Sequence, residues 1–214
     1  MPWSAGTNCG TLRFCMTKSP AAEETLKIVL VRHGKPHIAL SPRTTHRGFG
    51  DYINAYVAAG LDPESVPPRE LAELGRELTA IFASDRPRSH QSAAALAPHA
   101  AVVRDSLFAE AALASPPIPF LTLNVPSWAV ISRILWHMGF APRIEGWFAA
   151  RRRAAQATDM LVAQARQTGP VALVAHGYFN WMIGRLLKKR GFVRRGSHRA
   201  RYWNTVIYER TAKD

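Results

Sequence analysis

No run of apolar residues approaches the roughly 20 that a membrane-spanning helix needs, although 47% of the chain is hydrophobic. The first 26 residues, MPWSAGTNCGTLRFCMTKSPAAEETL, lack the continuous apolar stretch of a secretory signal, so a cytoplasmic location is expected. Cysteine is scarce. Cys9 and Cys15 are the two present, both in that leading segment, which argues against a disulfide framework and a cysteine metal site. The segment also lacks any hydrophobic period, and a flexible tail is expected over residues 1–26. Acidic residues are few: 15 Asp and Glu stand against 28 Lys and Arg in 214 residues, a net charge of +13. An anionic partner is favoured on that balance. The cations are scattered, with clusters at 151–153 and at 188–201 (KKRGFVRRGSHRAR), and no nucleic-acid-binding motif accompanies them. Nucleic acid is therefore not the expected partner, and a solvated face or a basic rim that gathers anionic substrate explains the second cluster better.

What is present is an alternation. Short apolar runs without polar alternation occur at 27–31, 80–83, 101–103, 171–175 and 205–208, as expected for strands covered on both faces. Between them lie helical patterns. Phe49, Tyr52, Ile53, Tyr56 and Val57 keep helical spacing until Gly60, and 69–79 and 88–96 read as two further helices. Another face runs from Ile144 to Ala165 and closes at Gly169, and 179–189 forms a last helix before Gly191. The expected fold is α/β: a three-layer sandwich with a mostly parallel central sheet and helices on both faces, over 27–214. A segment at about 111–143, rich in proline, breaks the pattern and reads as a helical insertion near the active site, with a short helix at 126–137. An active-site cover and a packed surface insertion both fit it. The same holds for Trp128 and Trp136, which suit an apolar lid or simple packing.

In such sheets ligands bind beyond the carboxyl ends of the strands. There the chain places Arg32-His33-Gly34 after IVLV, Ser84-Asp85-Arg86-Pro87-Arg88 after AIFA, and His176-Gly177 after VALVA, with Glu110 a few residues past the third strand. Each residue alone has an ordinary reading as a surface, capping or packing group. Together they supply a reaction. A neutral imidazole attacks phosphorus and splits one displacement into two. Guanidinium forks match phosphoryl oxygens, helix N-termini add backbone donors, and a carboxylic acid protonates the leaving oxygen and then activates water. Nearby arginines favour neutral His33 but ionised Glu110, so Glu110 is expected to act as an acid once a phosphate dianion is bound. Tyr178 and Asn180, just after His176-Gly177, are possible substrate contacts, with core packing and a capping role as their alternatives.

These residues resemble the histidine phosphatase superfamily, the phosphoglycerate mutase-like group. The likeness lies in LVRHG, in Ser84-Asp85-x-x-Arg88 followed by SHQSAAAL, in Glu110 within FAEA, and in VAHG. It implies His33 as the phosphorylated nucleophile, Arg32, Arg88 and His176 as the phosphate pocket, Glu110 as proton donor, Ser84 as a lesser neighbour of the pocket, and no metal or cofactor. Where the resemblance leads one to expect Glu or Ser, then Thr, the chain has Lys35-Pro36-His37, and the usual Gly-x-x-Gln-Ala of the next helix is replaced by GFGDYINA at 48–55. Lys35 thus marks a possible substrate contact, and a phosphatase is expected rather than a mutase. The expected function is metal-independent hydrolysis of a small phosphorylated metabolite. Alternatives are a protein phosphohistidine phosphatase and an anion binder on the same fold.

Overall fold

A computed structural model of the chain describes residues 25–39, 43–78 and 80–211. The expected tail at 1–26, with both cysteines, lies almost wholly outside the described residues. The elements run β1 (Thr25–Arg32), α1 (His46–Ala58), α2 (Arg69–Arg76), β2 (Ala80–Ser84), α3 (Pro87–Leu96), β3 (Ala101–Asp105), α4 (Val125–His137), α5 (Trp147–Thr168), β4 (Val171–Ala175), α6 (Gly177–Lys189), β5 (Val193–Arg195) and β6 (Thr205–Thr211).

The six strands form one sheet in the order β3-β2-β4-β1-β6-β5. β1 to β4 are mutually parallel, whereas β6 runs antiparallel to both β1 and β5. The expected mostly parallel α/β architecture is therefore present. Two assignments change in detail. β3 is an edge strand with largely exposed residues, not a strand covered on both faces. β5 was not anticipated, because its Val-Arg-Arg is exposed throughout and carries no apolar signal; such short charged strands suit a sheet edge.

Alternation along β1 divides the core. Ile28 and Leu30 face a cluster built with α5 and α6, through Ala154, Leu161, Phe179 and Ile183. Val29 and Val31 face the opposite cluster, which includes Leu71 of α2 and Ala93 and Leu96 of α3. A small separate cluster joins Phe49 of α1 to Val125 and Trp128 of α4. Trp128 stacks on Phe49 with ring centroids 6.0 Å apart and donates through Nε1 to the Thr44 carbonyl. Trp136 donates to the Glu145 carbonyl within the larger core. Both indoles are 0% exposed, so they pack the insertion down rather than form a lid.

Register sets the site. Arg32 pairs with Ala175 across β1 and β4, and Ala83 pairs with Val174 across β2 and β4. The chain therefore leaves all three strands at one level, and His33 N–H donates to the Ala175 carbonyl at 2.9 Å. Gly34 follows because space demands it: a Cβ there would lie 2.6 to 2.7 Å from Leu61, Ser65 and Trp203.

Candidate active site

His33 and His176, ending adjacent parallel strands, stand with ring centroids 5.1 Å apart and are each 1% exposed. Arg88 enters from the first turn of α3 and is 2% exposed. His33 Nδ1 lies 2.7 Å from the carbonyl of Gly34, an acceptor only, so Nδ1 carries the proton and Nε2 presents its lone pair. That lone pair meets Arg88 Nε at 3.2 Å and the Tyr56 hydroxyl at 3.4 Å. Burial holds the His33 pKa well below 6.5, and the Arg88 and Arg32 charges push the same way against the Gly34 carbonyl. The ring is neutral at physiological pH, with its free nitrogen aimed at a guanidinium.

Arg88 is a junction. Its Nη2 donates to His176 Nδ1 at 3.4 Å, and its Nη1 donates to the carbonyls of Tyr56, at 2.5 Å, and Val57. Its guanidinium lies 4.2 Å from the centroid of the Tyr56 ring. Since Nδ1 of His176 accepts, Nε2–H donates to Ser84 Oγ at 3.0 Å, with Ser89 Oγ at 3.4 Å. Burial, then the neighbouring imidazole and arginines, hold His176 neutral as well. Ser84 therefore orients His176. Ser92 links the Gly34 N–H to the Arg88 carbonyl and ties the turn after β1 to α3.

Glu110 approaches from the segment after β3. Its Oε1 accepts from the N–H groups of Ala111 and Phe179, at 2.9 and 3.0 Å, which docks it on the first turn of α6 beside His176. Burial raises its pKa, outweighing Arg133, the two backbone donors and Arg32, which pull it down. The sequence reading weighed the arginines and not the burial. Burial thus moves Glu110 toward its protonated form before any phosphate arrives.

Arg32 donates to the Ala200 carbonyl at 2.5 Å, and its guanidinium carbon lies 4.8 Å from the Tyr202 ring centroid, yet its buried Nε has no hydrogen-bond partner. Arg133 of α4 donates to the Ala111 carbonyl and lies 4.1 Å from the Tyr178 ring centroid, while its buried Nη1 is likewise unpartnered. Three guanidiniums, one carboxyl group and two neutral imidazoles therefore converge, with two donors in reserve. That balance suits a dianion with a tetrahedral set of oxygens.

The other candidates lie at or beyond the margin. Lys35 pairs with Asp62 at 2.8 Å and is largely exposed. The Tyr178 hydroxyl meets His137 Nε2 at 2.8 Å. Asn180 does not cap α6. It is buried, and its Nδ2 donates to the Val31 carbonyl, so it braces the end of β1. The basic segment at 188–201 is partly neutralised, Arg190 on Asp159 and Arg195 on Glu209, and its far end brings Ala200 and Tyr202 to Arg32.

Sequence reasoning missed Tyr56, Tyr202 and Arg133. Tyr56 was absorbed into the apolar face of α1, and Tyr202 follows a loop with no periodic pattern. Arg133 had a signal: it is the lone charged residue inside VPSWAVISRILWH.

No family model matches the chain, and no curated protein matches it either. Solved structures do. A phosphoglycerate mutase from Bacillus anthracis strain Sterne superposes with a TM-score of 0.54 at 13% identity, covering 90% of this chain and 93% of that one. The fold is that of the phosphoglycerate mutase-like histidine phosphatases. A mutant phosphoserine phosphatase from Entamoeba histolytica, in complex with phosphoserine, shares this fold with a TM-score of 0.51, 14% identity, and coverage of 85% and 89%. The ecdysone phosphate phosphatase of Bombix mori, in complex with tungstate, gives 0.52, 13%, 85% and 88%. Among the described residues, no helix is long and apolar enough to cross a membrane.

Proposed function

We propose that the chain is a phosphomonoesterase acting on a small phosphorylated metabolite through a phosphohistidine at His33. The observation that carries this reading is the neutral His33 ring, locked by the Gly34 carbonyl with Nε2 directed at Arg88. The mutase and phosphatases of the same fold, whose named substrates are phosphate esters, support it.

In the first step Nε2 attacks phosphorus and the ester P–O bond breaks. Arg32 and Arg88 hold the non-bridging oxygens, His176 lines the phosphate pocket and keeps Arg88 in place through Nδ1, and Glu110 gives its proton to the leaving alkoxide. In the second step water attacks the phosphorus of phosphohistidine while Glu110, now a carboxylate, takes the water proton. The P–N bond breaks and inorganic phosphate leaves. The raised pKa of Glu110 suits the first role and the lowered pKa of His33 suits the nucleophile.

The purified protein should hydrolyse p-nitrophenyl phosphate in the presence of a chelator, and His33→Ala should abolish turnover. Undiminished hydrolysis by that variant overturns the proposal. So does tight phosphate binding without turnover across a broad panel of esters.

A further inference from the structure

A cavity of about 310 Å³ lies between α5 and α6, with His137 at the end of α4 also lining it. His33, Arg88 and Glu110 take no part in its lining. Its floor is apolar, made by the buried Ala154 and Met182 with Leu186. Its walls are aromatic. Trp147 and His137 stand with ring centroids 4.6 Å apart on one side, and Trp181 stands 5.2 Å from Tyr178 on the other. The Tyr178 hydroxyl meets Nε2 of His137, a lining residue, at 2.8 Å, and Glu110 is not part of the lining.

Its rim is cationic. Arg151 lies 5.5 Å from the Trp147 ring centroid and Arg185 lies 5.1 Å from that of Trp181, which holds each guanidinium at the mouth. Lys189 is the third cation, and no Asp or Glu lines the cavity. Carboxylates of the same region are committed elsewhere, Glu145 to Arg153 and Asp159 to Arg190. Among the described residues none of the three rim cations has an ion-pair partner. Arg185 and Lys189 stand one helical turn apart on α6 and Arg151 lines the same cavity from α5, so an anion bound there would offset their mutual repulsion.

We propose that this cavity is a second ligand site, built for a small planar aromatic acid whose ring lies between Trp147 and Trp181 and whose anionic group meets Arg151, Arg185 and Lys189. The volume stands near the lower end of small-molecule pockets, about 300 Å³, which limits the ligand to one fused ring system. An apolar floor with aromatic walls supplies affinity for the ring, and the rim selects its charge. A plain inorganic anion uses the rim alone and leaves the aromatic walls unfilled. The assignment does not depend on the phosphatase reading.

The test is a titration with naphthalene-2-sulfonate, followed by calorimetry and by quenching of tryptophan fluorescence. One equivalent should bind and quench. The double variant Arg151→Glu, Arg185→Glu should weaken binding by at least about tenfold, while its melting temperature and its turnover of p-nitrophenyl phosphate stay as in the parent. Orthovanadate, aimed at the His33 site, should not displace the probe, and the uncharged 2-naphthol should bind far more weakly. Binding unchanged in the double variant, equal loss on reversing the more distant Arg166, several equivalents bound, or displacement by orthovanadate would each overturn the site.

Discussion

The two halves of the candidate active site are held in different ways. His33, His176 and Ser84 stand at the ends of three neighbouring parallel strands, Arg88 opens the helix after one of them, and each has hydrogen-bond partners within the group. Glu110 and Arg133 stand outside the sheet, on the segment between β3 and α5, and Arg133 keeps a buried N–H without a partner. The strand half is anchored in the two main cores, whereas α4 divides its anchorage, Trp136 entering the larger core and Val125 and Trp128 forming a small cluster with Phe49. Chemistry common to any phosphate ester is thus placed where the backbone is most fixed. The group proposed to meet the leaving alcohol, Glu110, sits on a segment outside the strands, pinned by its buried neighbours Phe108 and Ala111.

Arg88→Lys breaks the strand half most severely short of removing the nucleophile. The ammonium keeps the charge but loses the fork that joins His33, His176 and the Tyr56 carbonyl. We expect kcat/KM for every ester to fall by about 10³-fold, comparable to the loss of a strong transition-state donor. Steady-state kinetics over several leaving groups checks this, because a loss that varies with the leaving group would place Arg88 in the other half.

Glu110→Gln breaks the acid half alone. The amide oxygen still accepts from Ala111 and Phe179, but no proton is supplied. For alkyl phosphates kcat/KM should fall by about 10²-fold. With p-nitrophenyl phosphate the burst of nitrophenol should survive, since that leaving group needs no proton, while turnover slows for want of a base. The pH profile carries the sign. In the parent, activity falls on the acid side only where His33 protonates, well below 6.5, and falls on the alkaline side as Glu110 loses its proton above the usual carboxylate pKa. The variant should lose the alkaline limb and keep the acid one.

The same division explains what was legible in the sequence. A buried apolar run followed at once by Arg-His-Gly or His-Gly is a local pattern, and parallel register brings such strand ends together, so the histidine half followed from pattern and topology. The ionisation of Glu110 did not, since burial is a property of the packed insertion and overrode the arginines that sequence could count. Tyr56 and Tyr202 were illegible for a related reason. Nothing local distinguishes a tyrosine that packs a helix face from one whose hydroxyl reaches a buried imidazole nitrogen 23 residues away. β5 was missed because an exposed edge strand shows no hydrophobic period.

Tyr56→Phe probes the margin of the strand half. Its hydroxyl lies 3.4 Å from His33 Nε2, in the space where a phosphoryl oxygen must sit beside Arg88. As a donor to that oxygen it contributes about 1 kcal/mol, so kcat should fall by about fivefold with KM little changed. A rise in activity instead would mean that the hydroxyl only occupies the site and that phosphate displaces it.

Lys35→Ala should have the smallest effect, although Lys35 is where the chain departs from the pattern it resembles. Its ammonium is spent on Asp62 at 2.8 Å, and its side chain is 60% exposed. An exposed pair of this kind is worth less than about 1 kcal/mol, and the turn after β1 is held independently by the Ser92 and Ser65 hydroxyls on the N–H groups of Gly34 and Lys35. Activity toward p-nitrophenyl phosphate should stay within about twofold of the parent. A large change confined to one metabolite ester would move Lys35 from the rim into the leaving-group pocket, and would give the strand half a share in choosing the substrate.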